Sequence, residues 1–265
     1  MKFILLLFVL GFALLSGLLT LESFERLVKP QWAKGLPRRS PLYFAPALAV
    51  LFLIVVLCLS HIYPWMNVPQ PAFRAKYLSP DFFAVRGFFY LLILGLLALR
   101  QRRVGGGAWM LALLLFVVSF ASFDWVMSLD PEFHSTAFGA IFFASAALLA
   151  FGARTVTVTD SPHLININSV FLALIGSWTY LVFMQYLVNW TGNLPHEADW
   201  YLMRANTPWR QLLTAVIIMQ AVLPIPALLF RKFKRSVTFT RSLGVITVVS
   251  QFVYIAWMVL PGGPR

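Results

Sequence analysis

The chain has 265 residues, of which 60% are hydrophobic and 11% charged, and its mean hydropathy is +0.80. This composition excludes an ordinary water-soluble domain. Because about 20 apolar residues cross a bilayer, it suffices for about eight crossings and leaves no sizeable domain outside the membrane. The net charge of +12 is attributed to cationic loops at an anionic lipid surface, and no nucleic-acid partner is expected.

Eight apolar segments follow one another along the chain, each long enough and poor enough in charge to predict a transmembrane helix. Their approximate bounds are 3–20, 41–62, 81–100, 108–129, 137–153, 166–190, 209–230 and 239–260. They predict a single polytopic all-α membrane domain over residues 1–265. The first segment is interpreted as a helix rather than a cleaved signal peptide, because no convincing small-x-small cleavage site precedes Leu21 and Glu22.

The connections between these segments differ in their basic residues, which predicts an orientation. The first, third, fifth and seventh connections carry 14 of the 21 Lys and Arg residues. Since basic loops remain in the cytoplasm, both termini are expected on the outer side. Aromatic residues near the predicted outer ends are interpreted as an interfacial belt of Tyr63, Trp65, Trp125, Trp190, Trp200, Tyr201 and Trp257.

Two opposite charges lie inside the third and fourth predicted helices. Arg86 and Asp124 are each about five residues, or about 8 Å, from the outer end of their helix, so two antiparallel neighbours would place them at one depth. Ionisable side chains within a bilayer usually face a bundle interior or a cavity. The pair is interpreted either as a brace that fixes helix packing, which the sequence favours, or as part of a site for protons or a quinol headgroup.

Other polar residues lie at or within the predicted helices. Gln185 and Asn189 share one face of the sixth helix, and Pro224 with Pro226 should distort the seventh. The favoured interpretation of such groups is hydrogen bonding between helices. The candidate polar cluster or proton path consists of Arg86, Asp124, Ser122, Ser128, His134, Gln185 and Tyr90.

No cofactor ligands are expected in this chain. The single cysteine, Cys58, excludes internal disulfides, Cys-ligated zinc and iron–sulfur ligation. All four histidines fall at predicted helix ends or in loops, which argues against a membrane haem b. Any redox centre is therefore expected in partner proteins.

Three strings in the sequence carry a family resemblance, and they span residues 76–90, 122–136 and 185–204. In order and spacing they resemble the ActF-type membrane subunit of alternative complex III, a bacterial quinol:cytochrome c oxidoreductase. That family is related to the NrfD-like subunits, so the resemblance implies paired four-helix bundles. Two departures from the family favour a scaffold over proton translocation. The last helix has Gln251 in the region where relatives have a His and an Asp, and the sixth helix opens with His163 and lacks the Asp-Leu-Gly-Lys-like start that is common in the family.

The resemblance implies a respiratory role in the bacterial cytoplasmic (inner) membrane, with periplasmic termini. The expected partners are an NrfD-like quinol subunit, a multihaem cytochrome c carrying haem c, an iron–sulfur subunit with its iron–sulfur clusters, lipid and a terminal oxidase. The resemblance implies that the chain anchors these redox subunits, with quinol bound in the complex, and it leaves a part in proton coupling open. Two alternatives stay open: an NrfD-like anchor that oxidises quinol itself in another oxidoreductase complex, and a free-standing transporter.

Overall fold

A computed structural model describes residues 1–37, 43, 45–104, 107–160, 162–192, 195–205 and 207–261. Within these ranges the chain is helical and contains no strand. The helices are α1 (Lys2–Val28), α2 (Ala45–Leu57), α3 (Leu59–Ile62), α4 (Ala72–Tyr77), α5 (Pro80–Arg103), α6 (Ala108–Trp125), α7 (Phe138–Thr155), α8 (Leu164–Gly192), α9 (Pro195–Ala205), α10 (Pro208–Ile217), α11 (Pro224–Leu229), α12 (Arg231–Lys234) and α13 (Val237–Val259).

Seven helical stretches in the described part of the chain are long and apolar enough to cross a membrane, and α2 is a shorter apolar helix. The predicted all-α membrane fold with about eight helices is thereby confirmed. The second crossing falls short because α2 ends at Leu57 and a turn at Cys58 separates it from α3. Its predicted start at residue 41 lies outside the described residues.

The predicted end of the first helix was wrong, whereas the later predicted crossings agree with the structure to within a few residues. Helix α1 continues to Val28, eight residues beyond its predicted end, and Lys29 ends it in the left-handed conformation with φ of 50°. The fourth crossing spans Ala108–Leu129 as predicted, with α6 ending at Trp125 and a 3₁₀ turn over Met127–Leu129 forming its last turn. The predicted distortion of the seventh crossing is confirmed, since a π-helical segment over Ile218–Val222 lies between α10 and α11, just before Pro224.

The helices form two groups of four. Helices α1, α2, α5 and α6 pack together, and α7, α8, α13 and the α10–α11 crossing form the second group. The groups are joined chiefly where α1 packs along α7, and both of these helices are largely buried. Because chain direction alternates from one crossing to the next, the N-terminus of α1 and the C-terminus of α13 lie at the same end of the bundle.

A glycine permits the close approach of α1 to α7. A Cβ atom at Gly17 would collide with the carbonyl oxygen of Ala146 and lie 2.8 Å from Cβ of Ala150. We expect Gly17→Ala to lower the free energy of unfolding by about 1–3 kcal/mol, because two helix backbones would have to separate. Thermal unfolding in one detergent measures the effect.

The matched control is Gly95→Ala in α5, where an added Cβ atom meets nothing within 4 Å. There alanine should be neutral or slightly stabilising, because it favours the helix more than glycine does. Equal unfolding midpoints for the Gly17 and Gly95 variants would contradict the importance of this contact.

A buried ion pair joins the two groups at the end of the bundle where α1 and α7 finish. Arg154 donates from Nη1 to Oε1 of Glu25 at 2.5 Å and from Nη2 to Oε2 at 3.3 Å, and its Nε donates to the carbonyl oxygen of Pro37. The two side chains are 3% and 4% exposed. This pair was not predicted, because Glu25 and Arg154 both fall in predicted loops.

At the opposite end, aromatic residues gather in the protein interior. Tyr63, Trp65, Trp125, Trp200 and Trp257 are each between 1% and 4% exposed. The prediction that these rings form an interfacial belt was therefore wrong for these five, because a buried ring cannot face the lipid–water boundary. Trp190 is 69% exposed and remains consistent with such a belt.

Candidate functional site

The predicted ion pair between Arg86 and Asp124 is present. Arg86 lies in the second turn of α5, Asp124 lies in the last turn of α6, and the two helices pack against each other. Arg86 donates from Nε to Oδ2 of Asp124 at 2.8 Å and from Nη2 to Oδ1 at 3.0 Å. This two-pronged geometry is the strongest that a guanidinium and a carboxylate adopt.

Two tyrosines complete the surroundings of the carboxylate. Tyr77 donates its hydroxyl to Oδ1 of Asp124 at 2.9 Å, and Tyr90 donates to Oδ2 at 2.8 Å. Each oxygen therefore accepts two hydrogen bonds, which is the usual capacity of a carboxylate oxygen. Because the Asp124 side chain is 1% exposed, no lone pair faces open space, and the arrangement resembles a closed brace more than a proton-exchanging group.

The short helix α4 places Tyr77 against the guanidinium. Nη1 of Arg86 donates to the Tyr77 carbonyl oxygen at 2.8 Å, and Cζ of Arg86 lies 3.9 Å from the Tyr77 ring centroid and 4.4 Å from that of Phe82. Burial, reinforced by the negative charge of Asp124, raises the pKa of Tyr77 to about 12. The phenol therefore stays protonated and continues to donate to Asp124 at neutral pH.

The other predicted site residues make different contacts. Ser122 donates to the carbonyl oxygen of Ser119 within its own helix, and Ser128 donates to the main-chain carbonyl of Asp124 rather than to the carboxylate. His134 is exposed and contacts Arg74. Gln185 lies in the second group of helices, where its Nε2 donates to the Tyr201 hydroxyl at 3.3 Å.

Of the predicted site residues, the structure brings together Arg86, Asp124 and Tyr90. It adds Tyr77, which was not among the predicted site residues.

A second buried cation, Arg204, lies at the same end of the bundle and is 2% exposed. It donates to the carbonyl oxygens of Trp200 at 2.6 Å and Trp257 at 3.3 Å, and its Cζ lies 3.4 Å from the Trp200 ring centroid. Among the carboxylates whose side chains the structure describes, none lies within salt-bridge distance of Arg204. Burial lowers the pKa of Arg204 to about 9, and the charge of Asp130 partly offsets this effect.

Arg204 borders a cleft of about 250 Å³ whose walls include Asp130 and Asn67. Arg204 was not predicted as a site residue, because its position just before the seventh predicted helix resembles an exposed loop. Among the residues that the structure describes, no three His, Cys, Asp or Glu side chains are grouped so as to hold a metal ion.

Fold and site together define an all-α, multi-pass membrane protein with a buried Arg–Asp–Tyr brace. Comparison with known proteins found no family model that matches the chain and no similar curated protein.

Proposed function

We propose that the chain is an integral membrane subunit of a bacterial respiratory quinol:cytochrome c oxidoreductase of the alternative complex III type. The observation that carries the proposal is that two of the strings that resemble the ActF-type subunit contact each other in the fold. Tyr77, Arg86 and Tyr90 come from the string 76–90, Asp124 comes from the string 122–136, and these four residues form one hydrogen-bonded cluster.

The third string contributes to the same end of the bundle. It spans residues 185–204 and includes Gln185, Trp200 and the buried Arg204. Phe133, from the second string, stacks on Trp200 with ring centroids 4.5 Å apart. Contributions from all three strings to one end of the bundle support a common role for them, and we propose that this end of the protein receives the redox partners.

In this proposal the chain anchors the redox subunits in the membrane, its Arg86–Asp124 pair fixes the packing of its own helices, and its partners carry out the electron transfer. An NrfD-like subunit would bind quinol, and the multihaem cytochrome and iron–sulfur subunits would hold the haem c and iron–sulfur clusters. The saturated hydrogen bonding of Asp124 favours bracing over proton transfer at this position. The basic odd connections would face the cytoplasm, and both termini would be periplasmic.

Purification in a mild detergent tests this proposal. The chain should co-purify with a multihaem cytochrome, visible as a c-type haem spectrum, and mass spectrometry should identify iron–sulfur and NrfD-like subunits. Purification as a lone polypeptide, or with partners that carry no haem, would contradict membership of such a complex. The same preparation should oxidise a quinol and reduce cytochrome c.

A further inference from the structure

The cleft that Arg204 borders lies where the two groups of helices meet at one end of the bundle. The first group contributes the connection between α3 and α4, with Trp65 and Asn67, and the turn after α6, with Asp130. The second group contributes helix α9, with Arg204, and Pro261, which follows α13. These segments adjoin the ends of membrane crossings, so the cleft lies at the depth of the lipid headgroups.

Two opposite charges line this cleft without an ion-pair partner among the side chains that the structure describes. Arg204 donates to main-chain carbonyl oxygens, and Oδ1 of Asp130 accepts from the main-chain N–H of Glu132 at 3.3 Å. The Glu132 carboxylate also lines the cleft, but it is already paired with Arg74 at 3.2 Å. Arg204 and Asp130 are therefore the charges of this cleft that a ligand can engage.

Arg204 and Asp130 interact through space but do not form a salt bridge. Burial lowers the pKa of Arg204, and the negative charge of Asp130 opposes that effect. Buried charges are usually paired directly. Two opposite charges held apart across a cleft suit a molecule that carries both charges itself, with its anionic group against Arg204 and its cationic group against Asp130.

The guanidinium of Arg204 is fixed in place and has donors to spare. Its Cζ lies 3.4 Å from the ring centroid of Trp200 and 5.0 Å from that of Trp257. One N–H of each of its three nitrogens donates to a carbonyl oxygen, and Nη1 and Nη2 each keep a further N–H. Paired N–H groups of this kind match the oxygens of a phosphate.

We propose that this cleft binds a phospholipid headgroup that carries both a phosphate and a primary ammonium group, as phosphatidylethanolamine does. The phosphate accepts hydrogen bonds from Arg204, and the ammonium donates to the Asp130 carboxylate. A headgroup with a phosphate and no ammonium would place a second negative charge beside Asp130, so the two wall charges select a zwitterion. This site lies outside the proposed function, which concerns partner proteins, and it does not depend on the identity of the complex.

Thermal unfolding of the purified protein in lipid nanodiscs tests the site. The discs consist of phosphatidylglycerol, into which phosphatidylethanolamine or phosphatidylcholine is titrated as a mole fraction. Phosphatidylethanolamine should raise the unfolding midpoint saturably, by about 3 °C or more, because a ligand of the folded state stabilises it. Phosphatidylcholine should raise it less, since its quaternary ammonium has no N–H to donate. Native mass spectrometry should find phosphatidylethanolamine retained on the released protein.

The informative variant is Asp130→Asn, because Asp130 is partly exposed, whereas replacing the buried Arg204 would also disturb the fold. Asp130→Asn should abolish both the gain in midpoint and the retained lipid. The matched control is Asp81→Asn, which removes an exposed carboxylate at the start of α5 and should change neither. A gain that persists in Asp130→Asn, or an equal gain from phosphatidylcholine, would overturn the proposal.

A water-soluble headgroup distinguishes the source of the ligand. Glycerophosphoethanolamine added to phosphatidylglycerol discs should act only weakly, because it lacks the acyl chains that concentrate the lipid at the protein surface. If it stabilises the protein while phosphatidylethanolamine does not, the ligand is a free solute and the lipid assignment is overturned. Absence of haem from the preparation bears only on the proposed function, so the two failures are distinguishable.

Discussion

Replacing Asp124 with asparagine should lower the free energy of unfolding by about 3–5 kcal/mol and reduce the amount of assembled protein in the membrane. The carboxylate accepts four hydrogen bonds, two of them from Arg86. An amide supplies one oxygen in place of two and no negative charge, so a largely buried guanidinium loses its counter-ion. Thermal unfolding in detergent and the yield of intact complex measure the two effects.

Two further variants separate bracing from proton transfer. Asp81→Asn removes an exposed carboxylate from the first turn of the helix that carries Arg86, and it should change stability by no more than about 0.5 kcal/mol. The double variant Arg86→Met with Asp124→Leu removes both charges and should recover much of the lost stability, because no unpaired ion remains. Normal assembly of Asp124→Asn with loss of turnover would contradict the brace and favour a role in proton movement.

Replacing Arg154 with methionine should have an effect of similar size, about 3–5 kcal/mol. Glu25 is 4% exposed at its side chain, and both of its oxygens accept from Arg154. Without Arg154, a buried carboxylate between α1 and α7 has no partner of opposite charge. Because this contact joins the two groups of helices, the unfolding midpoint should fall and limited proteolysis near the end of α1 should accelerate.

The matched control is an exposed ion pair within α1, the helix that carries Glu25. Arg26 donates to Glu22 at 2.7 Å, but their side chains are 31% and 25% exposed, so solvent screens the attraction. Arg26→Met should therefore cost about 0–1 kcal/mol. Similar losses for Arg26→Met and Arg154→Met would show that burial does not set the strength of these pairs, and would refute the assigned role of Arg154.

The pairing of Arg86 with Asp124 was predictable because hydrophobic length determines where each crossing begins, and the two charges then fall at equal depth. Tyr77 was missed because it lies outside the predicted helices, and only the short helix α4 turns its hydroxyl towards Asp124. Arg154 and Arg204 were missed for a related reason. Both lie at the edge of an apolar segment, where sequence alone cannot distinguish a solvated charge from one covered by a neighbouring helix.

The aromatic residues illustrate the same limit. Trp200 and Trp257 fall at predicted helix ends, which is where interfacial rings also occur, and the helix packing buries both of them. Ser122 and His134 looked similar to the members of the cluster in the sequence. The direction of each side chain separates them, since Ser122 turns to its own helix and His134 turns to the surface.

The sequence by itself determined the all-α membrane class, the approximate position of each crossing and the depth of the Arg86 and Asp124 charges. These follow from hydrophobic length and the cost of charge in hydrocarbon, which act locally along the chain. The tertiary structure alone decided which helices are neighbours, which polar groups are paired and where a cavity remains. Those outcomes depend on contacts between distant residues, such as Gly17 against Ala146 and Glu25 with Arg154, which no local pattern records.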